Sequence, residues 1–187
     1  MDITQKSGFD KTYSKTNKGL IRRYSRTLEF VKKNIKNDSK ILDLGIVNPF
    51  SDILTNQGFS VINTEKDMDL DFEFDIVKKN DFDVVTAFEL FEHMVAPFNL
   101  LRAINAPKLI ASVPLKLWFA NAYWNEKDPW DRHYHEFEPR QFDMLLIKAG
   151  WKIIKSEKWV SPSNKIGIRP LLRSFTPRYY IVYCERE

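Results

Sequence analysis

Apolar residues recur at helical spacing near the start of the chain and then in short runs typical of strands. After Asn17, which can cap a helix, apolar side chains follow at steps of three and four as far as Asn37-Asp38. This period predicts an amphipathic helix. Strands are predicted where apolar residues form continuous runs, because a parallel strand covered on both faces has no polar side. These runs span 40–44, 60–64, 82–88 and 108–113.

Helical patterns separate the predicted strands. A short helix is predicted near 51–57, where Gly58 suits the left-handed turn that ends many helices. A second helix is predicted over 97–106. A third begins at Pro139, a residue favoured in the first helical turn, and ends at Gly150.

The remaining stretches have weaker patterns. Residues 151–160 and 179–185 alternate in polarity, which predicts two late antiparallel strands. Residues 65–80 are acidic with a few apolar positions, and a short edge strand is predicted there. Residues 161–178 contain three prolines and are predicted to be a surface loop.

The order of these elements predicts an α/β fold. A helix followed by alternating strands and helices indicates a doubly wound, mostly parallel, seven-stranded Rossmann-like sheet with helices on both faces. We expect a single domain over 1–187, with an N-terminal extension and helix in 1–38 and the core in 39–187.

Composition and charge narrow the class of protein. The chain is 43% hydrophobic and 29% charged, as in globular proteins, and no apolar run approaches the roughly 20 residues that span a bilayer. Residues 1–18 are polar and lysine-rich, without the apolar segment of a secretory signal. Cys184 is the single cysteine, which excludes an intrachain disulfide. We therefore expect a cytoplasmic protein with no membrane partner.

The net charge of +4 is unevenly distributed. Residues 1–40 carry 11 basic and 4 acidic side chains, residues 41–93 carry 3 and 12, and residues 94–187 carry 15 and 9. One interpretation is an ordinary solvated surface; the other is that the acidic middle surrounds a cationic ligand and the basic ends meet an anionic one. Nucleic acid is a possible partner on this ground, but not the favoured one.

Chemistry is expected at the ends of the first two strands, because open α/β sheets bind ligands beyond the carboxyl ends of their strands. The first strand runs into Asp43 and Gly45, and the second ends at Glu65, 20 residues after that glycine. A carboxylate at this separation can accept hydrogen bonds from the hydroxyls of a ribose. The alternative is that Asp43 caps a turn and Glu65 is a surface acid.

Five segments, in order, resemble the class I S-adenosylmethionine-dependent methyltransferase family of the type 11/23 kind. ILDLG (41–45) resembles the start of its glycine motif, and GFSVINTE (58–65) resembles its second strand with the terminal acid. DFDVVTAFELFEHM (81–94) is similar to the fourth strand and the element after it. KLIASVP (108–114) and HEFEPRQFDMLLIKAGW (135–151) resemble the fifth strand and a late helix.

The resemblance implies S-adenosyl-L-methionine as cofactor, although the glycine motif is degenerate. The family usually has two further glycines where this chain has Val47 and Pro49, and a side chain and a fixed φ there narrow the approach to the ligand. The implied cofactor-binding residues are Asp43, Gly45, Ile46 and Asn48 at the methionine part, Glu65 at the ribose, Asp69 and Leu70 at the adenine, and Phe88 and Glu89 under the sulfonium.

The implied reaction is methyl transfer to a hydroxyl or similar nucleophile of a small or saccharide-like acceptor. The candidate catalytic residues are His93, His133 and His135, as bases or acceptor-binding groups, with a packing role as the alternative for each. His133 and His135 alternate and would point to one side of an extended segment. The aromatic stretch 117–130 is expected to contact the acceptor or to form a lid.

Two alternatives remain open. The run Glu89-x-x-Glu92-His93, with the distant His135, resembles the metal-binding pattern of small-RNA 3′-end 2′-O-methyltransferases and suggests a metal-assisted RNA enzyme. The same run also resembles methyltransferases that have no metal, so no metal ligand is assigned. A non-catalytic methyltransferase-like binding protein is the other alternative. NAD-dependent chemistry is disfavoured because no G-x-G-x-x-G follows the first strand.

Overall fold

A computed structural model describes residues 18–162 and 166–187. Six strands form one sheet in the order β2-β1-β3-β4-β6-β5. The first four strands in this order are parallel to one another, β6 runs antiparallel to β4, and β5 runs antiparallel to β6. The strands are β1 (Lys40–Asp43), β2 (Ser60–Asn63), β3 (Val84–Phe88), β4 (Lys108–Pro114), β5 (Trp151–Val160) and β6 (Pro177–Arg186). The α/β fold class and the antiparallel late strands are therefore confirmed.

Five helices accompany the sheet in the described part of the chain, with three short 3₁₀ turns at 75–78, 91–93 and 129–131. The first helix begins at Lys18, and Asn17, predicted as its cap, lies outside the described residues. None of the helices within the described ranges is long and apolar enough to cross a membrane. They are α1 (Lys18–Asn34), α2 (Pro49–Asn56), α3 (Pro97–Ala103), α4 (Pro139–Lys148) and α5 (Ile168–Phe175).

Alternate residues of the central strands enter two separate cores, one on each face of the sheet. Ile41 of β1 packs with Phe30 of α1 and Leu54 of α2. Leu42, the next residue, packs on the other face with Leu100 of α3 and Phe142 of α4. Helices therefore cover both faces, as expected for a strand whose run of residues is apolar throughout.

The second core holds the two late antiparallel strands against the rest of the sheet. Trp151 is fully buried, and its indole N–H donates to the carbonyl oxygen of Leu101 at 3.0 Å. The guanidinium of Arg186 lies over the same ring, 4.5 Å from its centre. This combination ties β5 and β6 to α3, because a buried indole N–H needs a partner and a cation favours the ring face.

Two predictions about irregular stretches are wrong. Residues 65–80 form turns and a 3₁₀ turn rather than an edge strand, so the described sheet has six strands and not seven. The backbone carbonyl of Asp69 accepts the N–H groups of both Phe72 and Glu73, which closes a turn where a strand would need an extended chain. The predicted loop 161–178 contains α5, whose Pro170 is tolerated because the first-turn N–H groups of a helix have no intrahelical partner.

Candidate functional site

A cavity of about 670 Å³ opens beyond the carboxyl ends of the parallel strands. The segments after β1, β2 and β3 form one side of it, and the aromatic stretch before α4 forms the other. This position, next to the switch in strand order at β1 and β3, is where open α/β sheets bind ligands. Its lining includes Gly45, Ile46, Glu65, Asp69, Leu70, Leu90, His93, Trp130 and Tyr134.

Gly45 shapes the wall nearest β1. Its φ of +127° lies in the region that favours glycine, and an added Cβ would meet no atom within 4 Å. The requirement for glycine therefore comes from the backbone conformation rather than from a lack of space. The Gly45 N–H donates to the Thr64 hydroxyl at 2.8 Å, and the Gly45 carbonyl accepts from the Asn63 amide at 3.3 Å. These bonds join the ends of β1 and β2.

Asp43 lies below this wall, buried in the sheet rather than exposed to the large cavity. The sheet register sets it between Asn63 of β2 and Thr86 of β3. Its carboxylate accepts hydrogen bonds from the Thr86 hydroxyl at 2.6 Å, the Asn63 amide at 3.1 Å and the Ser51 hydroxyl at 3.2 Å. Burial raises the pKa of Asp43 to about 6, against the opposing effect of these three bonds.

Asn48 is occupied by the start of α2. Its side-chain oxygen accepts the N–H groups of Phe50 and Ser51, and its amide donates to the Ile46 carbonyl at 3.0 Å. Pro49 takes the first helical position, where no N–H is needed. Val47 is 67% exposed and does not line the large cavity. Asn48, which lies between the two positions of the family glycines, thus caps α2, and the Val47 side chain does not line the large cavity.

Glu65 and the turns that follow it form the next wall. The Glu65 side chain is exposed on this wall and has no hydrogen bond or ion pair with another described residue. Asp69 accepts the N–H of Asp71 at 3.0 Å, and Leu70 is buried beneath. The Asp71 carboxylate accepts the N–H groups of Val95 and Ala96 at 2.9 and 2.7 Å. The turns after β2 are therefore fastened to the segment after β3.

Phe88 and Glu89 lie beside Asp43 and Asn48 around a smaller cavity of about 60 Å³. Glu89 has a left-handed backbone with φ of 54°, and its carboxylate accepts the Ser112 hydroxyl at 2.9 Å. It also forms an ion pair with Arg23 of α1 at 3.5 Å. The nine predicted cofactor residues are thus divided. Gly45, Ile46, Glu65, Asp69 and Leu70 line the large cavity, and Asp43, Asn48, Phe88 and Glu89 line the small one.

The three histidines are also divided. His93 lines the large cavity, and its ring lies 4.9 Å from that of His133, nearly perpendicular to it. His135 instead stacks on Phe137 at 5.4 Å, with its Nε2 3.3 Å from the Val95 carbonyl. His133 and His135 were expected on one side only of an extended segment, and in the structure their rings contact different groups. The segment is not regularly extended, because the successive N–H groups of residues 134 and 135 both donate to the carbonyl of residue 92.

Glu92 is the buried acid beside these rings. Its side chain is 1% exposed, and its Oε1 lies 3.7 Å from Nε2 of His93. Burial, and then the nearby Glu89 charge, raise the pKa of Glu92 well above its usual value. Burial lowers the pKa of both His93 and His133.

The four residues suggested by the metal-binding resemblance are not brought together. Glu92 and His93 join His133, and their ligand atoms lie within 4.8 Å of one another, while Glu89 and His135 contact other groups. The sequence pattern pointed to the run Glu89-x-x-Glu92-His93, but it did not show which of the two later histidines approaches that run.

The residues of the large cavity fit S-adenosylmethionine. The volume falls within the range of about 300–1,000 Å³ typical of small-molecule sites. Glu65 offers a carboxylate without a partner among the described residues, which is the group that binds ribose hydroxyls in this position. Ile46, Leu70 and Leu90 offer apolar surface for a flat base, and the neighbouring acids suit a cationic sulfonium. The roles of the individual residues remain predictions.

Solved methyltransferases have the same fold at low sequence identity. An S-adenosylmethionine-dependent methyltransferase from Mesorhizobium loti gives a TM-score of 0.59 at 14% identity, covering 87% of this chain and 96% of that chain. One from Archaeoglobus fulgidus gives 0.54 at 15%, covering 89% and 94%. Phosphoethanolamine N-methyltransferase 2 of Haemonchus contortus, in complex with S-adenosyl-L-methionine, gives 0.57 at 13%, covering 87% and 52%. At such identities the likeness supports the fold alone.

A comparison with curated proteins finds no match. The profile of the methyltransferase domain family, in contrast, matches residues 16–156, which is most of the chain. This match includes the segments after β1, β2 and β3 that line the large cavity. The chain therefore belongs to the methyltransferase domain family, and the prediction of a class I S-adenosylmethionine-dependent methyltransferase is confirmed.

Proposed function

We propose that this enzyme transfers a methyl group from S-adenosylmethionine to a hydroxyl of a saccharide-like acceptor. The observation that supports a saccharide-like acceptor is the aromatic and acidic wall of the large cavity. Trp130 is 68% exposed there, beside the exposed Tyr134 and Asp128. Flat aromatic faces and carboxylates together suit a sugar ring, which presents apolar faces and a rim of hydroxyl donors.

The opposite wall is proposed to hold the cofactor. Glu65 would accept the ribose hydroxyls, Asp69 and Leu70 would flank the adenine, and Gly45 and Ile46 would line the methionine part. The Glu65 carboxylate, which has no partner among the described residues, and the open space over Gly45 support this assignment. When bound, S-adenosylmethionine supplies an electrophilic methyl on a cationic sulfur.

Asp43, Asn48, Phe88 and Glu89 are proposed to support this wall from behind. The polar groups of Asp43, Asn48 and Glu89 bond to neighbouring strands, to the start of α2 and to Ser112. A carboxylate buried so close below the glycine loop also adds negative potential under a cationic ligand when it is ionised. Their contribution is therefore positioning and electrostatics rather than contact.

The reaction needs the acceptor oxygen in line with the methyl group, so the main task of the protein is positioning. His93 is the histidine on the cavity wall and is proposed to contact the acceptor. His133 packs behind it, and His135 bonds to a backbone carbonyl. These two are proposed to hold the acceptor wall in shape.

The aromatic wall is itself ordered by its own polar groups. Asp131 accepts the Tyr123 hydroxyl at 2.7 Å and the Asn125 amide at 2.9 Å. Asp128 accepts the N–H of Trp130 at 3.0 Å. Such local bonds fix Trp130 before ligand binds, which reduces the entropy lost on association.

Methyl transfer with labelled S-adenosylmethionine tests the proposal on a panel of glycosides, catechols and short RNA. Turnover of glycosides is expected, and turnover of RNA alone would overturn the saccharide assignment. The Trp130→Ala variant is expected to raise the KM for the glycoside about 5- to 150-fold, since stacking contributes about 1–3 kcal/mol.

Trp118 provides the matched control. It is 73% exposed and lies in the same aromatic stretch, but it does not line the cavity. Trp118→Ala is expected to leave KM and the affinity for S-adenosylhomocysteine unchanged. Equal effects of the two tryptophan variants would contradict the proposed wall.

The setting of the enzyme is proposed from its composition. Cys184 is buried and is the single cysteine of the sequence, which suits a reducing compartment such as the cytoplasm. The acceptor is proposed to be the partner of the enzyme, rather than nucleic acid or a membrane. The chain is proposed to act as one domain.

A further inference from the structure

Three potential metal ligands converge beside the large cavity from two distant parts of the chain. Glu92 and His93 belong to the 3₁₀ turn after β3, and His133 belongs to the segment before α4. One ligand atom from each lies within 4.8 Å of the other two. The backbone N–H groups of Tyr134 and His135 donate to the Glu92 carbonyl at 2.7 and 3.2 Å, which holds the two segments together.

Hydrogen bonds fix both imidazoles with a free lone pair on Nε2. Nδ1 of His93 lies 3.1 Å from the Arg132 carbonyl, and Nδ1 of His133 lies 3.1 Å from a carboxylate oxygen of Glu136. Both partners can only accept, so each Nδ1 carries the proton and each neutral ring has an unprotonated Nε2. Metal-binding histidines are oriented in this way, by a carbonyl or carboxylate on the nitrogen that does not bind the metal.

Glu92 supplies the third potential ligand, and one of its carboxylate oxygens is buried without a hydrogen-bond partner among the described residues. Its side chain is 1% exposed, and its Oε2 has no hydrogen-bond partner among the described residues. A buried carboxylate oxygen without a partner costs free energy, and a cation removes that cost. The other oxygen, Oε1, faces Nε2 of His93 at 3.7 Å.

We propose that Glu92, His93 and His133 bind a divalent transition-metal ion of the zinc type. Two imidazoles and one carboxylate form a ligand set that suits Zn²⁺ or Co²⁺ better than Mg²⁺, which prefers oxygen ligands. Bonds of about 2.1 Å in a tetrahedral site place ligand atoms about 3.4 Å apart, so small side-chain rotations close this cluster on an ion. Of the three ligands, His93 lines the large cavity.

An ion in this position would lie beside the proposed acceptor wall, and it would lower the pKa of a coordinated hydroxyl. The metal site nevertheless does not depend on the proposed acceptor, because ion binding is measured on the protein alone. A failure of the saccharide assay would therefore leave the metal experiment unaffected, and the reverse also holds.

Calorimetric titration of the full chain with Zn²⁺, Co²⁺ and Mg²⁺, after treatment with a chelator, tests the proposal. We expect one Zn²⁺ or Co²⁺ per chain at micromolar affinity or tighter, much weaker Mg²⁺ binding, and a visible Co²⁺ spectrum typical of tetrahedral coordination. His133→Ala and Glu92→Gln are expected to weaken Zn²⁺ binding at least tenfold. Absence of Zn²⁺ and Co²⁺ binding by the folded wild type would overturn the proposal.

Two further variants separate ligands from bystanders. Glu136→Gln removes the carboxylate behind His133 and is expected to weaken binding about 10–100-fold, as loss of such supporting groups does. His135→Ala is the matched control, since His135 bonds to Val95 and lies outside the cluster. Equal loss of binding in the His133 and His135 variants would overturn the assignment. Where His133→Ala melts early, His133→Gln replaces it in the same titration.

Discussion

The buried carboxyl of Asp43 is expected to make the stability of this enzyme fall as the pH rises. Its pKa is raised from 3.8 to about 6 by burial, with no charged partner among the described residues. Each unit is worth about 1.36 kcal/mol, so ionised Asp43 costs the folded state about 3 kcal/mol relative to the unfolded chain. Below the unfolded pKa both states hold the proton, and this cost is absent.

The sign follows from which state holds the proton. At a pH between the two pKa values the folded protein keeps the Asp43 proton and the unfolded chain releases it, so the free energy of unfolding decreases with pH. The decrease begins near the unfolded value and is complete just above about 6. Between about pH 5 and about pH 7.5 it amounts to about 1.4 kcal/mol.

Urea unfolding followed by tryptophan fluorescence across this pH range measures the effect. Asp43→Asn has no titrating group, so its stability is expected to lose about 1.4 kcal/mol less than the wild type over the same range. The amide also alters the bonds to Ser51 and Asn63, but that offset does not change with pH. Parallel stability curves for the two proteins would refute the reasoning.

Three further substitutions test the site and its support. Glu65→Ala is expected to weaken S-adenosylhomocysteine binding by about tenfold or more in calorimetry, because hydrogen bonds to a charged group contribute about 1.5–3 kcal/mol; Glu73→Ala, which removes an exposed acid outside the cavity lining, is expected to change nothing. Unchanged affinity in the Glu65 variant would contradict the ribose assignment. Gly45→Ala is expected to lower the free energy of unfolding by about 1–3 kcal/mol through its positive φ, with the space above it still open; a neutral effect in urea would show that the loop relaxes. Trp151→Phe leaves the Leu101 carbonyl without its donor and is expected to cost about 1–3 kcal/mol, and an unchanged urea midpoint would exclude that bond as a contribution.

The fold was predictable because its signals are local and repeated. Neighbouring residues such as Ile41 and Leu42 enter opposite cores. Because both faces of the strand are buried, the strand appears in the sequence as a continuous apolar run. The stretch 65–80 has no strand with two buried faces and therefore no such run. Its few apolar residues pack from turns, and the turn at Asp69 depends on backbone bonds that have no fixed sequence pattern.

The site was predictable where a backbone position determines it. Gly45 and Glu65 follow strand ends, and both line the large cavity as expected. Asn48 is predicted to line the methionine part of the cofactor, and its position before Pro49 with Ser51 three residues later is also the pattern of the helix cap that the structure shows. The pairing of His93 with His133 joins residues that are 40 positions apart in the sequence, and spacing alone could not distinguish His133 from His135.

The Asp71 carboxylate has a mechanical consequence. It links the segment that follows β2 to the segment that follows β3, because its two oxygens accept the backbone N–H groups of residues 95 and 96. Those segments both belong to the wall of the large cavity that is proposed to hold the cofactor. These two segments therefore cannot move apart without stretching two charge-assisted hydrogen bonds. One side chain therefore holds together two of the segments that form this wall.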